Sequence, residues 1–175
     1  MNDVLERWNF LSPAAAVDEI LPCCGSRAWA SAIVSGRPWP DEGKLLAASD
    51  EIWRILAVSD WLEAFCSHPR IGESSVRELR EPTAASEKSA AWSQQEQRNV
   101  AEAGDAVKIE LAEGNREYEQ RFKRTFIVCA TGKTPEQILQ ILRRRLNNDE
   151  QSDLQEAADE QRQITQTRLR KWLNI

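Results

Sequence analysis

Histidine is almost missing from this chain: His68 is the only one among 175 residues. With one imidazole, and with Cys23, Cys24, Cys66 and Cys129 outside any C-x-x-C spacing, no zinc ligand set is spelled out. The four cysteines read instead as buried, reduced thiols. No apolar run approaches the roughly 18 residues needed to cross a bilayer, and no basic leader precedes an apolar segment. The terminal KWLNI is not a Ser-Lys-Leu address either. A cytosolic protein without membrane contact is therefore expected. Positive charge is also short, since 23 Lys and Arg against 28 Asp and Glu leave a net charge of −5. That balance argues against nucleic acid or anionic lipid as a general partner, because both are bound through clustered cations. Internal repeats and low-complexity tracts are absent.

What the chain does have suits one globular domain spanning residues 1–175. Hydrophobic residues make up 41%, charged residues 29%, and seven tryptophans supply large apolar anchors. At this length a single core can bury roughly 70% of the surface of the unfolded chain. Helix signals dominate. Ser12 and Pro13 start one helix, which Pro22 is expected to end, and Ser26 starts another that stops before Gly36. From Asp41 to about Ala57, Leu45, Leu46, Ser49, Ile52, Trp53 and Leu56 fall near one face. A short helix from Ser59 turns Trp61, Leu62, Phe65 and Cys66 inward, and Pro69 stops it, because the residue before a proline is pushed out of the α region. Residues 69–92 are polar, lack periodicity and read as a long loop with at most one helical turn. A helical pattern resumes at Ser93, bent or broken near Gly104 and Gly114. TFIVCATG is a brief extended segment. Thr134 and Pro135 open a helix carrying Ile138, Leu142 and Leu146 inward, and a last helix covers roughly 152–173. The whole reads as an all-α domain of about seven or eight helices.

Three features could carry chemistry. His68 titrates near neutral pH and is held by the proline after it, as suits a general acid or base, although a lone histidine can equally be structural. Ser93-Gln94-Gln95-Glu96 has the S-x-x-E form of a capping box, which would explain Ser93 and Glu96 without any function. Arg168 falls on the apolar stripe of the last helix beside Leu154, Ala157, Ala158, Ile164, Leu169 and Trp172. Its guanidinium stays charged, so if it turns inward it must meet a carboxylate of the protein or of a ligand, unless its head snorkels to the rim. The run Arg143-Arg144-Arg145 reads as a solvated face. Cys66, two residues before His68, invites comparison with a thiol nucleophile, but no resolving partner is evident.

Taken in order, SGRPW at 35–39, HPRIGE at 68–73, SQQEQ at 93–97, GNREYEQRF at 114–122, FIVCATGKTPEQIL at 126–139, LRRRLNND at 142–149 and ITQTRL at 164–169 resemble the OHCU decarboxylase family. That family acts on 2-oxo-4-hydroxy-4-carboxy-5-ureidoimidazoline in urate breakdown. The resemblance covers nearly the whole chain, with no departure at a motif position. It implies an all-α homodimer that needs neither metal nor organic cofactor and whose product is (S)-allantoin. It also implies site residues: His68, Glu96 and Arg168 as the catalytic set, with Pro69, Ser93, Gln94, Gln95 and Gln97 contacting substrate. Phe126, Ile127, Val128, Cys129 and Ala130 would join them through backbone groups. The competing class is a non-enzymatic all-α interaction module, for which the tryptophans and amphipathic helices would suffice.

Overall fold

Where each helix begins is decided by a side chain able to accept a backbone N–H. Asn2 caps α1 (Asp3–Asn9) through the N–H groups of Val4 and Leu5. Ser12, Ser26 and Asp41 cap α2 (Pro13–Cys24), α3 (Arg27–Ser35) and α4 (Glu42–Ile55) in the same way. α5 (Val58–Cys66), α6 (Ala84–Glu96), the single-turn α7 (Arg98–Ala101) and α8 (Asp105–Phe122) follow. α9 (Pro135–Arg145) opens on a capping box of Thr134 and Gln137, and α10 (Glu150–Leu173) is the last element. The computed structural model describes residues 2–72 and 84–175. These residues hold ten helices and no strand, so the all-α expectation is met. The count exceeds the expected one mainly because α1 and α7 are too short to show a helical period. None of the described helices is long and apolar enough to cross a membrane.

Backbone contacts gather into two units. The first comprises Met1–Ala64 and Arg162–Ile175, the second Phe65–Gln161, so α5 and α10 each contribute to both.

In the first unit α2 packs on α3 and α3 on α4. Tryptophans fill its interior: Trp8 and Trp29 are wholly buried, and Trp8 meets Trp172 edge to face with centroids 5.5 Å apart. Two of the buried indoles find carbonyl acceptors: Trp8 donates to Ala16 and Trp61 to Trp53, both at 3.0 Å. Pro22 does not end α2. It lies within the last turns, where its missing N–H would have served Asp18, an exposed residue, and the helix runs on to a left-handed Gly25 (φ 89°). In α5, Trp61, Ala64 and Phe65 are buried, but Leu62 and Cys66 are exposed. A 100° step from the Trp61–Phe65 row carries both of them off the inward face, so Cys66 is not the buried thiol expected.

The second unit packs α8 against α9 around Leu111, Tyr118, Phe122, Phe126, Ile138, Leu139 and Leu142. α8 passes through Gly114 without a break. A Cβ there would lie 2.7 Å from Cδ2 of the buried Leu142, so this glycine permits close helix approach and does not mark a break. The expected loop at 69–92 is also corrected, because α6 already begins at Ala84; the part of that loop at 73–83 lies outside the described residues. Alanines and serines with no apolar stripe make α6 illegible to periodicity.

The basic run on α9 divides. Arg143 and Arg144 are exposed as expected, but Arg145 has no exposed surface. It sits three and seven residues beyond Leu142 and Ile138, on the same apolar face. Its Nε donates to Asp153 Oδ1 at 2.9 Å and its Nη2 to the Tyr118 hydroxyl at 2.7 Å. The Tyr118 hydroxyl donates in turn to Asp153, and Arg124 Nη2 reaches the same carboxylate at 2.8 Å. Burial alone would raise the Asp153 carboxyl, but the hydrogen bonds from Arg145, Tyr118 and Arg124 hold it below its ordinary 3.8. The folded value thus lies below the unfolded one. Its stabilisation is complete above about pH 3.8 and is lost as pH falls through the folded value. Asp153→Ala should cost about 3–5 kcal/mol in urea unfolding at pH 7, because Arg145 is left charged and buried without its counterion. Gly114→Val should cost about 1–3 kcal/mol by overpacking against Leu142.

Candidate active site

Pro69 stops the chain from continuing α5, and the histidine before it is drawn into the fold. His68 is 8% exposed, and its N–H donates to the Phe65 carbonyl at 3.2 Å. The next residues are tied down individually. Arg70 forms a two-pronged ion pair with Glu119 of α8, at 2.7 and 2.6 Å. Asn115, buried on α8, donates its amide to the Ile71 carbonyl at 2.8 Å. Gly72 adopts φ +80°, a conformation that favours glycine, and its N–H donates to the Gln97 side chain at 3.3 Å. The loop after His68 is therefore held by α8 and by the end of the Ser93–Gln97 motif. Glu73 lies outside the described residues.

That second motif is not a helix start. Ser93 lies in the last turn of α6, its side chain is buried, and its carbonyl accepts the N–H of Gln97 at 3.0 Å. The capping-box explanation of Ser93 and Glu96 is thereby removed. Pairing a serine with a glutamate three residues on carries the same signature at either end of a helix, and only the unrecognised helix preceding it tells them apart. Gln94 and Gln95 are exposed, while Glu96 and Gln97 are half-buried.

Phe126, Ile127, Val128, Cys129 and Ala130 form an extended, fully buried segment between α8 and α9. Arg145 Nη1 donates to the Ile127 carbonyl at 2.5 Å. The Cys129 N–H donates to Glu160 Oε2 at 2.7 Å, and Lys133 Nζ donates to the Cys129 carbonyl at 2.6 Å. Neither backbone group of Val128 makes a hydrogen bond to the described residues, although the residue is only 4% exposed. Buried backbone groups of this kind call for a partner. Burial pushes the Cys129 thiol up, and the nearby carboxylates of Glu160 and Glu96 push the same way against Lys133. Glu96 thus lies within electrostatic reach of the extended segment.

Arg168 belongs to the first unit and is wholly buried on the inward face of α10, as its place on the stripe suggested. Its Nη1 donates to the Pro22 carbonyl at 3.1 Å, and its charge reaches the neighbouring Cys24. Burial is the larger influence on that thiol and pushes it up to about 12, which keeps it protonated. Within the second unit, Gln97 reaches Gly72 in the loop that follows Pro69, and Glu96 acts electrostatically on Cys129 of the 126–130 segment. Of the residues that hold the extended segment, Arg145 reads from sequence as part of a solvated face, and Glu160 and Lys133 are not singled out. For Arg145 the helical spacing from Ile138 and Leu142 was a usable signal; for Glu160 and Lys133 no sequence pattern points at a backbone group.

What the described residues amount to is an all-helical protein whose second unit holds a buried stretch of irregular backbone by side chains from outside that stretch. The profile described as OHCU decarboxylase matches residues 9–170, and the chain belongs to that family. Among its relatives, the uric acid degradation bifunctional protein TTL of Arabidopsis thaliana is 34% identical over 157 residues, 88% of this chain and 46% of that protein. The chain thus spans about half the length of this relative. The 2-oxo-4-hydroxy-4-carboxy-5-ureidoimidazoline decarboxylase of Amia calva is 31% identical over 140 residues, covering 80% of this chain and 77% of that one. The crystal structure of OHCU decarboxylase in the presence of (S)-allantoin matches with a TM-score of 0.75 at 31% identity, over 90% of this chain and 99% of that chain. The crystal structure of (S)-allantoin synthase, at 17% identity and a TM-score of 0.69, shares the fold over 96% of this chain and 53% of that one.

Asn115→Leu fills a similar volume but leaves the buried Ile71 carbonyl without its donor. It should cost about 1–3 kcal/mol in urea unfolding and speed amide hydrogen exchange in residues 68–72, with little change elsewhere in α8.

Proposed function

We propose that this chain decarboxylates 2-oxo-4-hydroxy-4-carboxy-5-ureidoimidazoline to (S)-allantoin in urate breakdown, acting as one domain over residues 1–175. The observation that carries this reading is the convergence in the second unit. Gln97 holds Gly72 in the loop after His68, while the neighbouring Glu96 acts electrostatically on Cys129 of the extended segment. Family membership, and a relative crystallised in the presence of (S)-allantoin, support the choice of substrate and product.

The chemistry asks little beyond what these residues offer. Loss of CO2 leaves an electron pair on a ring carbon, and the conjugated imine and carbonyl of the substrate can delocalise it, so the substrate serves as its own electron sink. What remains is orientation, charge stabilisation and delivery of one proton to one face. In this reading His68 and Glu96 form the acid/base pair: one assists C–CO2 cleavage through the substrate hydroxyl, and proton delivery to the ring carbon completes (S)-allantoin. Arg168 holds an anionic or carbonyl oxygen of the ligand, for which a guanidinium offers two parallel donors. Pro69, Ser93, Gln94, Gln95 and Gln97 contact the substrate. The backbone of Phe126, Ile127, Val128, Cys129 and Ala130 meets the urea-like edge of the heterocycle, where a flat donor and acceptor pair suits the peptide groups of Val128. A cytosolic homodimer is the state proposed for the working enzyme.

The substrate is unstable, so it is generated fresh from urate and followed by loss of ultraviolet absorbance and by the circular dichroism of the chiral product. His68→Asn should leave the fold intact and slow the formation of optically active allantoin by about 10²- to 10⁴-fold, the usual contribution of a positioned acid/base group. Near-normal turnover would remove His68 from the mechanism. Glu96→Gln preserves shape and hydrogen bonding but exchanges no proton, and it should lose activity on the same scale; full activity would leave Glu96 with a binding role only.

A further inference from the structure

Two side chains outside the proposed catalytic set converge on a single residue of the extended segment. Glu160, on the part of α10 that belongs to the second unit, accepts the Cys129 N–H at 2.7 Å, and Lys133 donates to the Cys129 carbonyl at 2.6 Å. The Lys133 ammonium and that same carboxylate oxygen are 3.9 Å apart. Their side chains are 26% and 13% exposed, so the three groups interact in a partly desolvated setting where charge-assisted bonds hold geometry well. The Lys133 N–H also closes back onto the Ala130 carbonyl at 3.1 Å, with Gly132 at φ +77° between them. On the other side Arg145 holds the Ile127 carbonyl. Val128 is thus flanked by two anchored neighbours, and its own peptide groups make no hydrogen bond to the described residues.

We infer that Glu160 and Lys133 are positioning residues: by gripping both ends of Cys129 they set the angle at which the Val128 peptide groups meet the planar urea-like edge of the substrate. This rests on the decarboxylase reading, in which the 126–130 backbone binds that edge. An extended segment outside any sheet has no ladder to fix its rotation. A neutral hydrogen bond to one end would leave it free to pivot, whereas paired charge-assisted bonds to the N–H and the carbonyl of one residue do not. Glu160 contributes in a second way, since its charge holds the Lys133 ammonium in place, so the two act as a unit. The Cys129 side chain is then a spacer whose thiol stays protonated, and its importance lies in its backbone.

The test uses Glu160→Ala, Glu160→Gln and Lys133→Met with three readouts: steady-state kinetics on fresh substrate, the dissociation constant for (S)-allantoin, and amide hydrogen exchange across residues 124–132. Glu160→Ala should lower kcat/KM about 10- to 100-fold, mostly through KM, as a small misplacement of binding groups does. It should weaken allantoin binding in parallel and speed exchange at 126–130. Glu160→Gln, which keeps an acceptor for the Cys129 N–H, should stay within about threefold of wild type in exchange and lie between the two in KM. Lys133→Met keeps the apolar stem and should raise KM about tenfold. These two variants carry the test if Glu160→Ala fails to fold. Wild-type exchange and KM in the variants, or a loss confined to kcat, would overturn the positioning role while the wild-type activity stands. A wild-type protein that neither consumes the substrate nor binds allantoin would overturn the functional reading itself, and with it the role of these residues toward substrate.

Discussion

The Arg145–Asp153 ion pair is the interaction on which the second unit depends. Both side chains are wholly buried, and such a pair is a poor source of net stability, because desolvation of two charges consumes most of their attraction. Its effect is geometric. Asp153 also takes Arg124 and the Tyr118 hydroxyl, so one carboxylate joins α8, the stretch after it and the start of α10. Arg145, held in that frame, turns its remaining guanidinium nitrogen to the Ile127 carbonyl. An apolar core of the same volume would pack α8 against α9 equally well, but it would leave the backbone between them without a reason to adopt one conformation.

Much of the candidate site in this unit follows the same logic: irregular backbone is fixed largely by side chains on regular elements. The loop after His68 is held by Arg70 to Glu119 and by Asn115 to Ile71, both partners lying on α8. The 126–130 segment is held by Arg145 on α9 and Glu160 on α10. Helices are rigid because their hydrogen bonds are internal, so they make good mounts for segments whose backbone must stay available to a ligand.

How much of this was legible varied with the kind of signal. Helix starts at Ser12, Ser26, Asp41 and Thr134 were readable because a cap is a local event between residues two or three apart. Arg168 was readable as an inward residue because a charge on an apolar stripe breaks a period. Arg145 breaks one too, but two exposed arginines beside it gave the run the look of a solvated face. Ser93 and Glu96 were ambiguous for a different reason. A helix start and a helix end can share one four-residue pattern, and α6 has no apolar stripe to show which side of the motif it occupies. Pro22 was read by the general rule for prolines, and the rule failed because the acceptor it deprives belongs to exposed Asp18.

The sequence by itself determined the helical class, the caps, the tryptophan anchors and the motifs carrying His68, Glu96 and Arg168, because each is written in spacings of a few residues. Only the tertiary structure decided which residues hold the extended segment. Glu160 and Lys133 meet at Cys129, and Asn115 meets Ile71, across 31 and 44 residues where Glu160 and Asn115 are concerned. A hydrogen bond from a side chain to a distant backbone group leaves no periodic trace, since every residue carries the same N–H and carbonyl; only folding selects the ones that meet.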